Sequence, residues 1–466
     1  MFMNQALTAL TIDLTVVLGC TFFLFKLGRP SAMHPGIIYL FFHLFVVTKR
    51  LTELACGAPL SAMFPHQPIG LNELTRASLL FDLVLVMMTL AWIITSAVDW
   101  KRHGPLPEAG REKPPNLSKT YVVGFAWLLV PAGIYGILKP GGGGGDWDKS
   151  FALTTLQSLL IISLMLFFYW YGPKPWLVAA IVVADVISQT LSDERWLLLL
   201  PTIFYCFVYI CRQGSRWPNR KTLIVMGVAA LLWLPGKQIS HILSRGGNLA
   251  QASQAFTSTW ISSATEANHP DNQFLDMAAM TVSLVDEKKH LYYGATVFDA
   301  LYNFIPRPLW PDKPRGAEWE YDISTKDRPM MTYGMTASMM GGAYVDFGYA
   351  GVVLIPFLFA LFLGWAYFRA FRCAYFSVGR FCYLVMACTL LQPYRDGIHT
   401  FLIFNFIYLW PLCFVALLHL FFPTRPARAQ SRYPQFARMT VAERSAQLSP
   451  PPPVPETRRA TETRQA

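Results

Sequence analysis

The run Ala77–Val98, ASLLFDLVLVMMTLAWIITSAV, decides the fold class, because over its whole length it carries one charge, Asp82. An apolar run of about 20 residues is what a helix needs to cross the hydrocarbon of a bilayer. The rest of the chain has the same character. Of its 466 residues 53% are hydrophobic, 15% aromatic and only 14% charged, where a soluble domain carries about 25% charge. Apolar runs predict further spans at about 5–25, 36–56, 120–138, 151–171, 176–192, 195–211, 222–238, 348–368, 380–393 and 398–422, about eleven in all. The expected fold is therefore an all-α integral membrane protein, with one large loop of short helices between the eighth and ninth spans.

The net charge of +11, from 39 Lys plus Arg against 28 Asp plus Glu, does not indicate nucleic acid. The surplus flanks the spans, as the positive-inside bias requires: Lys101, Arg102, Arg111, Lys113 and Lys119 in one loop, Arg212, Arg216, Arg220 and Lys221 in another, then Arg369, Arg372, Arg380 and an arginine-rich tail. These segments are assigned to the cytoplasm. No Lys or Arg precedes Lys26, so the N-terminus reads as a retained first span. Eight cysteines sit mostly in or beside apolar runs, and no Cys/His spacing suggests a structural metal.

Four regions follow: an N-terminal bundle over 1–237, an exported loop over 238–347, C-terminal helices over 348–422, and a basic tail over 423–466 expected to be disordered. The loop is slightly acidic. Its segments 250–265, 272–285 and 290–304 have helical spacing and are expected to lie along the membrane surface or cap the spans, most simply as ordinary packing helices.

The loop ends in a strap that contains Pro306, Pro308, Pro311 and Pro314, a segment no helix accommodates. Arg307, Lys313 and Arg315 stand on it, with Trp310, Trp319 and Tyr321 among and after them. Guanidinium forks bind phosphate oxygens at two points and stay charged, so the strap suits a diphosphate leaving group. Lipid headgroups, or pairing with Asp312, Glu318, Glu320 and Asp322, would explain the same cations, and the aromatics suit sugar stacking or an interfacial belt alike.

Other candidates are Arg50, just beyond a span end that contains His43, and Arg395, Asp396 and His399 in a short exported turn. His399 is a general base of suitable type, or a structural histidine. Asp13, Asp82 and Asp185 lie inside spans, where charge marks function or a satisfied polar cluster. Asp146 and Asp148 form a weak Asp-x-Asp after a glycine run. No Walker A, GxGxxG or GxSxG pattern supports ATP-driven transport or serine-hydrolase chemistry.

Phe304–Pro314 (FIPRPLWPDKP) and Gly341–Gly351 (GGAYVDFGYAG) together resemble the Wzy-type O-antigen and oligosaccharide repeat-unit polymerases, over about 299–365. The resemblance implies an inner-membrane glycosyltransferase of the C-type superfamily, class B. Such an enzyme joins undecaprenyl-diphosphate-linked oligosaccharide units at the periplasmic face without metal or other cofactor. It implies diphosphate binding by Arg307 and Lys313, and a cavity mouth shaped by Tyr344 and Asp346. Arg50 and Arg395 match by loop position only. No exported arginine is followed eleven positions on by glycine, so the paired Arg-x10-Gly motifs of some polymerases are missing and the catalytic base is unassigned. A chain-length regulator and a flippase are the expected protein partners. O-antigen ligase and lipid-linked oligosaccharide flippase are the competing readings.

Overall fold

The computed structural model describes residues 2–28, 30–58, 60, 69–106, 119–138, 159–170, 196–212, 215–224, 274–298, 338–373 and 377–421, with 227, 250, 251, 254, 310 and 312. Among the described residues the secondary structure is helical, without strands. Helix α1 (Phe2–Phe23) widens into a π-helical turn, Leu24–Gly28. Next come α2 (Pro35–His43), a second π-helical turn (Leu44–Thr48), α3 (Lys49–Ala55), α4 (Leu71–His103) and α5 (Lys119–Leu138). The remaining helices are α6 (Leu159–Trp170), α7 (Trp196–Arg212), α8 (Phe274–Lys288), α9 (Ser338–Arg372), α10 (Val378–Cys388), α11 (Leu391–Asp396) and α12 (Ile398–Phe421).

Three helical stretches, Met3–Gly28, Leu71–His103 and Ser338–Arg372, are long and apolar enough to cross a membrane. They contain the expected spans 5–25, 77–98 and 348–368. Residues 36–56, expected as a further span, fall on an unbroken helical run from Pro35 to Ala55. Span 176–192, most of 222–238 and the tail lie outside the described residues, as do Asp146, Asp148 and Asp185.

Side-chain contacts fix the directions of the long helices. Gln5 Nε2 donates to Asn72 Oδ1 at 2.6 Å near the starts of α1 and α4, while Ser96 Oγ near the end of α4 donates to Leu27 O at 3.1 Å. Arg76 and Tyr344 meet near the starts of α4 and α9, and Arg372 and Asp99 meet at their ends. Hence α1, α4 and α9 are parallel. The run 35–55 returns against them: it starts with the His34 ring 5.9 Å from Trp92, and it carries Arg50 to α8.

The centre is α4 against α9. On α4, Leu74, Ala77, Phe81, Leu85, Met88 and Trp92 recur every three or four residues and are buried, the stripe a packed helix needs. On α1 and the turn that follows it, Leu7, Leu14, Leu18, Phe22 and Phe25 instead stay exposed, an apolar stripe suited to hydrocarbon. Helix α8 lies over the start of the bundle with Leu275 to Val282 all buried, so the expected 272–285 helix is a cap.

The opposite end gathers basic side chains. Arg372 grips Asp99 through Nε at 2.8 Å and Nη2 at 2.5 Å and also donates to Gly104 O at 2.7 Å. Buried Arg380 donates to the carbonyls of Ala370, Phe371 and Cys373, which satisfies the last turn of α9. Arg212 Nη2 reaches Tyr169 O at 3.1 Å. All eight cysteines are free thiols.

Candidate functional site

The cap end holds a cluster open to solvent. Glu73 begins it: Glu73 Oε2 accepts from Gly70 N at 2.8 Å, which closes the first turn of α4. Its Oε1 accepts from Ser283 Oγ at 2.7 Å, which seats α8 on that turn. One turn on, Arg76 donates to Tyr344 Oη at 2.7 Å, to Tyr349 Oη at 2.8 Å and to the Asp286 carboxylate. Tyr344 Oη donates to Asp286 Oδ1 at 2.6 Å. The guanidinium carbon lies 5.7 and 5.5 Å from the two tyrosine ring centres. Side chains of Arg76 and Asp286 are 38% and 41% exposed, so an incoming ligand can reach both charges.

Tyr344 and Tyr349 are five residues apart, which on a straight α-helix would place them about 140° apart. A break at Phe347 and Gly348 brings both to Arg76. Gly348 has φ +59° and ψ −139°, a conformation essentially confined to glycine. At Gly351 a Cβ would lie 1.9 Å from the Ala343 carbonyl oxygen, so the second glycine lets the two halves of α9 close on each other. This accounts physically for the spacing of Tyr344-Val-Asp-Phe-Gly348-Tyr-Ala-Gly351.

Asp346 is fully buried. Its Oδ1 accepts from Thr296 N at 3.2 Å and its Oδ2 from Thr296 Oγ1 at 2.5 Å. Backbone bonds from Tyr292 N to Val345 O and from Tyr293 N to Asp346 O complete the anchor. Asp346, which the resemblance implied at a cavity mouth, thus holds the 290–298 segment to α9 with both of its carboxylate oxygens. The residues on either side of 299–337 belong to this end: Thr296 packs 3.6 Å from the position of a Cβ on Gly342, and Ser338 starts α9.

Arg50, expected to contact substrate, sits at the same end but inside it. Its Nε and Nη2 donate to the two oxygens of Asp276 at 2.9 and 3.0 Å, and both side chains are at most 1% exposed. Arg50 Nη1 faces Glu53 Oε2 at 3.5 Å, so carboxylates meet all three guanidinium nitrogens.

Arg395 and Asp396 end α11. Arg395 is partly exposed, with its guanidinium 5.4 Å over the Phe274 ring and Nε 3.2 Å from Asp396 Oδ1. Burial pushes the Asp396 carboxyl up to about 6, with Arg395 opposing the shift. His399 Nε2 lies 3.0 Å from Thr400 Oγ1. Asp396, Gly397 and His399 line a cleft of about 10 Å³ with Ser338, Met339 and Gly342, room for one water at most. Trp310 is 38% exposed. Arg307, Lys313, Arg315, Trp319 and Tyr321 lie outside the described residues.

The structure therefore brings together Tyr344 with Arg76, Tyr349 and Asp286, three residues the sequence reading did not single out. Only weak signals point to them: an arginine at the rim of an apolar run, and a tyrosine pair with a glycine between. Compared with known protein families, curated proteins and solved structures, the chain matches none.

Proposed function

We propose that the protein is a glycosyltransferase that polymerises undecaprenyl-diphosphate-linked oligosaccharide repeat units into a surface polysaccharide, at the periplasmic face of a bacterial inner membrane. The observation that carries this reading is the cap end of the bundle. A solvent-open Arg76–Asp286–Tyr344–Tyr349 cluster there sits above apolar helices, at the same end as Thr296 and Ser338, between which the strap lies in sequence. A carrier lipid needs such a boundary, with hydrocarbon below and charge above.

In the reaction, an acceptor sugar hydroxyl attacks the anomeric carbon of the donor glycan. The bond to undecaprenyl diphosphate breaks with its electron pair, and the hydroxyl proton passes to a base. The leaving group is already good, so positioning and charge stabilisation by Arg307, Lys313 and Arg315 supply most of the catalysis. Basic residues at the opposite end, Arg212, Arg372 and Arg380 among them, suit the cytoplasmic side.

The test is the surface glycan of a strain lacking the gene, complemented with wild type or with Arg307→Ala. Loss of a polymerase leaves single attached repeats, and Arg307→Ala reproduces that pattern at normal protein level. Long polymer left on the carrier lipid would identify a ligase, and repeat units trapped inside would identify a flippase. Wild-type chain length with Arg307→Ala would remove the strap from the mechanism.

A further inference from the structure

Asp13, His43 and Asp82 come from α1, α2 and α4 and converge in the bundle interior, each buried, with one candidate ligand atom apiece all within 4.8 Å of one another. His43 Nε2 lies 2.8 Å from Asp13 Oδ1 and 3.4 Å from Asp82 Oδ1. Donors around a tetrahedral zinc ion, each about 2.0–2.1 Å from the metal, are about 3.3 Å apart. The two His43 contacts, 2.8 and 3.4 Å, bracket that separation, and the two carboxylate atoms lie within 4.8 Å of each other.

The backbone is bent to make this arrangement. The π-helical turn Leu44–Thr48 follows His43 directly, and such turns occur often at functional sites. Its i→i+5 bonding places Thr48 nearly over His43, where a regular α-helix would set them about 140° apart. Both therefore face Asp13: His43 bonds Oδ1, and Thr48 Oγ1 donates to Oδ2 at 2.7 Å. A hydroxyl that orients a carboxylate is the usual support behind a metal ligand.

Two further groups bear on the cluster. Asp82 is 5% exposed, the His43 imidazole lies 3.4 Å from its Oδ1, and neither of its carboxylate oxygens accepts a well-formed hydrogen bond among the described residues. The Tyr39 hydroxyl is likewise buried without a partner, and its ring lies 6.1 Å from that of His43. An ionised carboxylate left like this inside a membrane bundle is costly. A divalent ion opposite two carboxylates and a neutral imidazole brings the net charge to zero.

We infer that Asp13, His43 and Asp82 form a binding site for a divalent transition-metal ion of the zinc class, which clamps α1, α2 and α4 together. Imidazole nitrogen with carboxylate oxygen suits that class and does not suit an alkali ion. Asp82 lies six residues beyond Arg76, about 9 Å along the helix, so the ion has a structural role and takes no part in the proposed glycosyl transfer. The inference stands or falls independently of that reaction.

The full chain, purified in detergent, is incubated with Zn²⁺, freed of loose metal and measured by elemental mass spectrometry, with thermal melting in parallel. The wild type should retain about one equivalent and melt higher with Zn²⁺. Asp82→Asn, which keeps the shape, should lower the affinity by at least about tenfold and lose the thermal shift. Absence of retained zinc in the wild type, or full retention by a folded Asp82→Asn protein, overturns the site. If Asp82→Asn does not fold, zinc-edge X-ray absorption of the wild type decides: nitrogen and oxygen ligands with imidazole scattering support the site, and sulfur ligands overturn it.

Discussion

Arg50 and Asp276, 226 positions apart, meet as a two-point ion pair from which water is almost wholly excluded. The pair fastens α8, the cap, to the return helix 35–55. Removing one partner strands a buried charge, which costs about 3–5 kcal/mol, whereas replacing both by apolar residues of similar volume is often neutral.

Arg50→Ala should therefore lower the melting temperature sharply in detergent, and Arg50→Met with Asp276→Leu should recover much of the loss. If the double variant also restores surface polymer, Arg50 acts through the fold. A stable double variant that makes no polymer would return Arg50 to the substrate site.

Gly351→Ala should be among the most damaging single-methyl changes, because its Cβ would fall 1.9 Å from the Ala343 carbonyl oxygen. Gly348→Ala should cost less, about 1–3 kcal/mol, since only backbone strain opposes it. Melting curves of the two variants test this order. Equal, small losses would mean the break in α9 is not needed.

At the other end, Asp99 and Arg372 are partly buried and joined by a charge-assisted fork. A double-mutant cycle with Asp99→Asn and Arg372→Gln should give a coupling of about 1–3 kcal/mol. A coupling near zero would show that the Gly104 and Pro105 carbonyls hold Arg372 without Asp99.

Asp396 supplies a pH dependence. Its carboxyl rises from 3.8 in the unfolded chain to about 6 in the fold, so the native state holds the proton more tightly. Its contribution is fully present below pH 3.8 and is lost as pH rises through about 6, so this residue makes stability fall across that window. Asp396→Asn should flatten the melting temperature between pH 4 and pH 7. An unchanged slope in the variant would assign the dependence to other groups.

Much of the architecture was legible in the apolar runs. Ala77–Val98 and the run from Gly348 are long enough to span, and the positions of Lys101, Arg212 and Arg372 anticipated that basic residues share one end. The site was less legible. Arg50 is conspicuous in sequence because it follows an apolar run, but its partner Asp276 is an ordinary acidic residue in a loop helix. Arg76 acquires Tyr344 and Tyr349 only through the break at Gly348, and His43 acquires Thr48 only through a π-helical turn. Both pairings violate straight-helix periodicity, so a reading based on that periodicity separates residues that the fold unites.

The parallel course of α4 and α9 constrains the chain between them. His103 ends one helix at the basic end and Ser338 starts the other at the cap end. Residues 104–337 therefore leave this helix pair at one end and rejoin it at the other. Reporters placed after His103 and just before Ser338 should then fall on opposite faces of the membrane, whichever face each turns out to be.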